Sequence, residues 1–131
     1  MLSFYIGSPE NTAVQGLWLS ADNRWVRYAC TLPWDELRQI YPDLLSDFCN
    51  EYDDPLRTAL ACRLIQTQYI VPQDELLLMV QENPYMQYFC GFTTFDPVHN
   101  RLSPELLQQF SQIPENIFLD IIELCSRRLP K

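Results

Sequence analysis

The chain has 131 residues, the usual length of a single domain. Hydrophobic residues make up 47% of it, which is enough for a core, but no apolar run approaches the roughly 18 residues that a membrane-spanning helix needs. The net charge is −8, and residues 43–98 carry nine acidic and only two basic side chains. Such a surface repels DNA phosphates, so composition alone disfavours a DNA-binding protein.

The first thirty residues have the least regular pattern. The stretches "LSFYI" and "GLWL" are compatible with short strands. "ADNRWVRYA" predicts a turn followed by one helical turn, with Asn23 as its cap. "TLPWDELRQIY" predicts a helix with Pro33 in its first turn, and "PDLLSDFCNEY" predicts a second short helix that directs Leu44, Leu45 and Phe48 inward.

Two helices are predicted between residues 54 and 82. The first begins with Asp54 as N-cap and Pro55 at the first helical position, and apolar residues cover most of its circumference. A helix that is apolar nearly all round is normally buried at the centre of a domain. The second begins after Pro72, and its five consecutive apolar residues, 76–80, predict another buried helix.

The stretch "ENPYMQYFCGF" predicts a third central helix, capped by Asn83 and followed by Gly91. Its aromatic residues recur at one helical face. They are Tyr85, Tyr88, Phe89 and Phe92. Such a stripe could stack nucleic-acid bases or a small molecule. The interpretation we favour is that it packs this helix against its two predecessors.

Two more helices complete the chain, which gives about six in total. Ser103 and Pro104 repeat the cap-then-proline pattern, and residues 114–130 form the most regular amphipathic helix. Its apolar face comprises Ile117, Phe118, Ile121, Ile122, Cys125 and Leu129. This face could pair with a second copy, so a homo-oligomer is one possible state. The predicted fold is a single all-α domain over residues 1–131, compact and multi-helical. It has a helix-turn-helix-like centre at 55–71 and 73–91 and a short irregular or extended N-terminal segment.

No set of residues suggests catalysis, a metal or a cofactor. The five cysteines are widely spaced without a C-x-x-C pair, and His99 is the only histidine. A Cys–His or Ser–His–Asp arrangement around one loop histidine is not credible. The N-terminus has no basic segment followed by a long apolar one, which predicts no signal peptide. We therefore expect a cytoplasmic protein that is not an enzyme, with free and mostly buried thiols.

Several stretches resemble one known family. These stretches are "ADNRWVRYACTLPWDEL", "PLRTALACRLIQTQYIV", "QENPYMQYFCGF", "FDP" and "LSPELLQQF". They occur in the same order and at similar spacing as "NRWVKLA", "IPWDE", "KPLRMALGALIIK", "QENPYLQYFIGL" and "PFDPSLLVRFRKRL". The latter set is typical of the N-terminal helical domain of InsH-like bacterial insertion-sequence transposases. The resemblance covers about residues 22–110, and its most specific part is 81–92. It implies a helical domain from a mobile element whose relatives contribute to DNA-end binding and transposase assembly.

The departures from that family concern its basic residues and its catalytic part. The family's "FRKRL" corresponds here to residues 110–114, "FSQIP", which carry no base. The lysine-containing "LIIKEKYG" corresponds to a stretch that begins "LIQTQY" at Leu64. A catalytic domain of the DDE type, with three metal-binding carboxylates, does not fit in the residues after Phe110. The resemblance therefore implies a non-catalytic relative without the DDE domain.

Two functional hypotheses follow. The first is a transposase-derived regulatory domain that binds DNA or a full-length transposase, and its candidate phosphate-binding residues are Arg57, Arg63, Arg101, Arg127 and Arg128. The second is an acidic module that binds a basic protein, such as an inhibitor of a nucleic-acid-binding protein. Its candidate residues are Asp43, Asp47, Glu51, Asp53 and Asp54. The two hypotheses differ in electrostatics: DNA binding requires the arginines on one face, whereas arginines scattered among carboxylates favour the acidic module.

Overall fold

A computed structural model describes residues 2–7 and 16–128. Within these residues the chain forms seven α-helices, one short 3-10 helix and three strands. The strands are β1 (Leu2–Ile6), β2 (Leu17–Leu19) and β3 (Thr94–Phe95). The helices are α1 (Arg24–Thr31), α2 (Trp34–Ile40), α3 (Pro55–Tyr69), α4 (Gln73–Glu82), α5 (Pro84–Phe89), α6 (Pro104–Ser111) and α7 (Glu115–Ser126), and the 3-10 helix is Ser46–Phe48.

The prediction of an all-α fold is wrong, because the chain also contains a small mixed sheet. The strand order is β2-β1-β3, with β1 parallel to β2 and antiparallel to β3. The pairs Phe4 with Leu17 and Leu2 with Phe95 fix the two registers. Both N-terminal stretches that were compatible with strands are strands, whereas β3 lies between Gly91 and Ser103, where the sequence predicted no helix or strand. The fold is thus mostly helical with a mixed α/β character.

The sheet lies against α5 through aromatic contacts. Phe4 on β1 meets the ring of Tyr88 edge-on, with the ring centres 5.7 Å apart. Within the sheet, the rings of Tyr5 on β1 and Trp18 on β2 stack with their centres 5.0 Å apart. Edge-to-face and stacked pairs contribute beyond the area that they bury, which helps three short strands to persist.

The predicted helix starts are largely confirmed by their capping bonds. The Oδ1 atom of Asn23 accepts from the backbone N–H of Trp25 at 2.8 Å, and Asp54 accepts from Arg57 N–H at 3.1 Å. Asn83 caps α5 in the same way. At α6, Ser103 occupies the cap position, but its hydroxyl donates to Glu105 instead of capping the backbone. Helix α1 is eight residues long, where only one turn was predicted.

Two predicted helices differ in the structure. Residues 42–52 form turns around the 3-10 helix instead of an α-helix, because Leu45 adopts a left-handed conformation with φ of 61° that interrupts a helical run. Helix α4 is buried on one face only: Leu76 and Val80, four residues apart, are buried, whereas Leu78 is 52% exposed. A run of consecutive apolar residues does not by itself place every side chain inside.

The core is centred on α3 and on the ring of Phe89. Eight residues of α3 are buried, as its apolar circumference predicts. Phe89 is fully buried in α5 among the rings of Trp25, Tyr28 and Trp34, at centre-to-centre distances of 5.2–6.2 Å. One continuous apolar cluster therefore joins α1, α2, α3 and α5.

Helix α7 covers this core with part of its predicted face. Ile121 and Cys125 are buried, Ile117, Phe118 and Ile122 are half-buried, and Leu129 lies outside the described residues. The Tyr41 hydroxyl, just after α2, donates a hydrogen bond to Asp120 on α7. This bond to the carboxylate is the main cause that raises the pKa of Tyr41 to about 12.

The free cysteines divide into two groups. Cys62, Cys90 and Cys125 are buried, as predicted, whereas Cys30 and Cys49 are exposed. The Sγ atoms of Cys62 and Cys90 lie 3.8 Å apart between α3 and the end of α5. The neighbouring thiol and burial raise the pKa of Cys62, so this thiol stays protonated and acts as part of the core.

Replacement of Ile70 with glycine should stabilise the protein. Ile70 ends α3 with φ of 54° and is 89% exposed, so a β-branched residue holds a left-handed conformation without a packing contribution. That conformation costs an L-residue roughly 1–2 kcal/mol, and glycine avoids this cost. Glycine also loses more chain entropy on folding, which offsets about 0.5–1 kcal/mol of the stability gained. We expect urea denaturation of Ile70→Gly to show about 0.5–1 kcal/mol of added stability.

Val98→Gly is the matched control for this change, because Val98 is 72% exposed and does not adopt a positive φ. It should lower stability slightly or leave it unchanged. A gain at position 98 equal to the gain at position 70 would contradict the conformational explanation.

Candidate functional site

The first of the five predicted phosphate-binding arginines, Arg57, is used inside the fold. Its Nε donates to the carbonyl of Phe89 at 3.1 Å and its Nη2 to the carbonyl of Tyr88 at 3.0 Å, both at the end of α5. A cation at the C-terminal end of a helix interacts favourably with the carbonyls of the last turn and with the helix dipole. The guanidinium also lies 5.0 Å over the ring of Trp34, and burial lowers the pKa of Arg57. Arg57 thus holds α3, α2 and α5 together.

Arg101 has a similar internal role. Its Nη2 donates to the carbonyl of Thr94 at 2.6 Å and to the side-chain oxygen of Gln87. The guanidinium lies 4.1 Å over the ring of Phe92. Burial lowers the pKa of Arg101. These contacts attach the loop before α6 to β3 and α5, so Arg101 supports the sheet.

The other three predicted arginines are exposed, and two of them pair with carboxylates. Arg127 contacts Glu123 at 2.6 Å within α7, and Arg128 reaches Glu36 on α2 at 3.3 Å. Arg63 lies 5.9 Å over the ring of Phe118, and within residues 2–7 and 16–128 no carboxylate oxygen lies within 4.0 Å of it. The five arginines therefore do not act as one group: two are internal, two pair with carboxylates, and one has no carboxylate partner among the described residues.

Arg57 and Arg128 come together in a charged groove of about 700 Å³ beside α2 and the start of α3. Its charged lining residues are Asp35, Glu36, Arg38, Asp53, Asp54, Arg57 and Arg128. Arg38 contacts Asp35 and lies 3.7 Å from Asp54. Because four carboxylates accompany three guanidinium groups, the groove does not present the net positive charge that a phosphate backbone requires.

Four of the five predicted acidic residues form an exposed acidic segment, residues 43–53. Asp43, Asp47, Glu51 and Asp53 are all exposed, and no described arginine or histidine nitrogen lies within 4.0 Å of their carboxylates. The fifth, Asp54, is half-buried, because it caps α3 and faces Arg38. The acidic segment surrounds the 3-10 helix, whose Phe48 anchors it to the core.

The predicted aromatic stripe lies on α5 and, through Phe92, just beyond its end, and it mainly serves packing, as the favoured interpretation has it. Phe89 is in the centre of the core, and Phe92 lies beneath the Arg101 guanidinium. The Tyr85 hydroxyl accepts from the backbone N–H of Ser20 at 3.0 Å, which ties α5 to the residue after β2. Each ring that could have stacked a base is therefore engaged with the protein's own structure.

Gln87, in the middle of this stripe, is a structural residue that the sequence analysis missed. It is 2% exposed, and its amide holds the backbone of Asp96 from both sides: Nε2 donates to the Asp96 carbonyl at 2.9 Å, and Oε1 accepts from the Asp96 N–H at 3.0 Å. Nε2 also donates to the carbonyl of Gln81 at 3.0 Å. The sequence did contain a signal for this role, namely one amide side chain within a stripe of four aromatic rings. If the stripe is buried, the amide is buried with it and needs hydrogen-bond partners.

Asp96 organises the loop on the other side of this contact. Its Oδ1 accepts from the N–H groups of Val98 and His99, and Oδ2 lies 3.1 Å from the His99 Nδ1 atom. The hydrogen bond from the His99 backbone is the largest cause that lowers the pKa of Asp96. The lone histidine lies in a loop, as predicted, and it is exposed.

Three further exposed arginines, Arg24, Arg27 and Arg38, are not among the five predicted phosphate-binding residues. Arg24 donates to the Tyr69 hydroxyl at 2.6 Å and lies over the Trp25 ring. Arg27, one turn later, has no carboxylate within 4.0 Å in the described part of the chain. Arg24 and Arg27 are three residues apart and lie on the exposed side of α1. This spacing was the sequence signal that the two guanidinium groups share one helical face.

Two other kinds of site are absent from the residues that the structure describes. Among them, no group of three or more His, Cys, Asp and Glu side chains is placed to hold a metal ion. No helix in these ranges combines the length and the apolar character that crossing a bilayer demands. Comparisons with protein families, with curated proteins and with solved structures find no match.

Proposed function

We propose that this chain is a non-catalytic binding domain related to transposase N-terminal domains, and that it binds a protein with a basic surface. The observation that carries the proposal is the contrast between its two kinds of charge. The carboxylates of the acidic segment 43–53 are exposed and have no ion-pair partner among residues 2–7 and 16–128. By contrast, backbone carbonyls engage Arg57 and Arg101, and carboxylates engage Arg127 and Arg128. An exposed patch of one sign attracts a partner of the opposite sign and orients its approach.

The resemblance to transposases supports a particular partner, a full-length transposase of the same group. Three residues of the most specific stretch, 81–92, have structural roles that a shared fold would require. Asn83 caps α5, Gln87 binds the backbone of Asp96, and Phe89 is buried in the core. Members of that family typically carry the basic "FRKRL" element, which this chain lacks. A domain with the family's core and an acidic segment would bind the basic surface of its relatives and thereby regulate the mobile element.

DNA binding is the second candidate function. The observation in its favour is that the guanidinium groups of Arg27 and Arg63 are exposed and have no carboxylate partner in the part of the chain that the structure describes. Two cations release few counterions on a phosphate backbone, so any such binding would be weak and would decrease with salt. The presence of nine acidic side chains in residues 43–98 adds repulsion.

The test measures binding of the purified chain to two probes across a salt series from about 20 to 200 mM. One probe is the basic peptide PFDPSLLVRFRKRL, and the other is a duplex DNA of random sequence. The variant Asp43→Asn, Asp47→Asn, Glu51→Gln removes three charges of the acidic segment. The matched control, Asp22→Asn, Glu75→Gln, Glu82→Gln, removes three exposed charges elsewhere.

We expect the peptide to bind at low salt and the acidic-segment variant to bind it about tenfold more weakly, because three exposed attractions of about 0.5 kcal/mol each are lost. The control should stay within about twofold of the unmodified protein. A peptide version with its basic residues replaced by glutamine should not bind. Tight, salt-sensitive binding to DNA together with no binding to the peptide would replace this proposal with the DNA-binding one.

A further inference from the structure

A second recess in the molecule lies apart from the acidic segment and the charged groove. It is a cleft of about 570 Å³ between α3, the start of α4, α6 and the start of α7. Its inner wall is formed by Cys62, Leu76 and Phe110, all buried. Ligand-binding pockets commonly have volumes of about 300–1,000 Å³, mostly apolar walls and a few polar groups that fix orientation.

Arg63 is the cation of this cleft. It is on the exposed side of α3, and its guanidinium lies 5.9 Å over the ring of Phe118, which lines the same cleft. The net charge of the chain is −8, and the other four predicted phosphate-binding arginines contact backbone carbonyls or carboxylates. By contrast, Arg63 has no carboxylate oxygen within 4.0 Å in residues 2–7 and 16–128. Its donors are therefore available to an external anion.

Other polar groups of the cleft restrict which anion fits. Glu115, the first residue of α7, also lines it. This carboxylate repels a second negative charge, so a phosphate or dicarboxylate is disfavoured relative to a singly charged group. Amides from Gln73 and Gln108 add neutral hydrogen-bonding groups to the lining. The apolar inner wall then favours a ligand whose remaining part is hydrophobic.

We propose that this cleft binds a small amphipathic monocarboxylate, with the carboxylate on Arg63 and an aromatic or branched aliphatic body against Leu76 and Phe110. A planar guanidinium binds a carboxylate through two parallel hydrogen bonds, which a neutral amide does not match. The site is independent of the acidic segment, so ligand binding here and protein binding there can succeed or fail separately.

The test is a titration of the full chain with 1-naphthylacetate, followed by backbone amide chemical shifts. Two comparison probes are 1-naphthylacetamide, which has the same body without the charge, and inorganic phosphate, which has charge without the body. The variant Arg63→Gln removes the cation. Arg127→Gln is the matched control, because Arg127 is an exposed arginine that does not line the cleft.

We expect saturable binding of 1-naphthylacetate, with shifts concentrated at cleft residues such as Leu76, Ile113 and Phe118. The amide and phosphate should each bind at least about tenfold more weakly, and Arg63→Gln should reduce carboxylate affinity by at least about tenfold, as loss of a charge-assisted pair implies. Arg127→Gln should bind unchanged. Equal affinity for the acid and its amide, phosphate binding as tight as the carboxylate, or shifts located outside the cleft would each overturn the proposal.

Discussion

Phe89→Ala should lower the free energy of unfolding by about 3–5 kcal/mol, the range for removing a fully buried phenylalanine ring. Phe89 is 0% exposed, and its ring packs against the rings of Trp25, Tyr28 and Trp34. Its removal leaves a cavity that these three large rings cannot fill without leaving their rotamers. Chemical denaturation, monitored by tryptophan fluorescence and by circular dichroism, measures the change.

The neighbouring residue provides a control on the same helix. Tyr88 is half-buried and meets the ring of Phe4 edge-on, so Tyr88→Ala should cost clearly less than Phe89→Ala. The sequence alone does not distinguish the two, because both are on the predicted aromatic stripe. A loss below about 1 kcal/mol for Phe89→Ala would mean that the ring is not part of the core.

Gln87→Leu should destabilise the protein by about 3 kcal/mol, although it places an apolar residue in a buried position. The substitution removes the partners of both backbone groups of Asp96 and one acceptor of Arg101. A buried polar group left without a hydrogen bond costs about 1–3 kcal/mol, which outweighs the apolar gain. Urea denaturation gives the magnitude, and loss of amide protection at Asp96 would localise the effect.

Two comparisons test this explanation. Gln68→Leu, at an exposed position of α3, should change stability by less than about 0.5 kcal/mol. A double-mutant cycle of Gln87→Leu with Arg101→Met should show coupling of about 1 kcal/mol or more, because the two side chains share a hydrogen bond. Strict additivity in that cycle would contradict the shared network.

Sequence reasoning succeeded where the cause of structure is local. The starts of α3 and α5 follow from an Asp or Asn cap with a proline after it, and such a signal needs no information from the rest of the chain. The burial of α3 follows from its own apolar circumference. The positions of these helices, and most of the core that they form, can therefore be predicted from the sequence.

The errors arose where a structure depends on distant partners. Strand β3 is two residues long, too short for any period, and it exists because β1 pairs with it. The roles of Arg57 and Arg101 depend on which backbone carbonyls tertiary folding brings near them. Charge can be read from a sequence, but whether a guanidinium faces solvent or the end of another helix cannot.

The order of strands in the sheet has a consequence for synthesis of the chain. The central strand, β1, leaves the ribosome first, and one of its two partners, β3, lies about 90 residues later. At roughly 5–20 residues per second, β1 remains half-paired for about 5–20 s, while most of the helices are being made. During that interval its free edge can accept a strand from another nascent copy, so the late arrival of β3 creates an opportunity for misassembly.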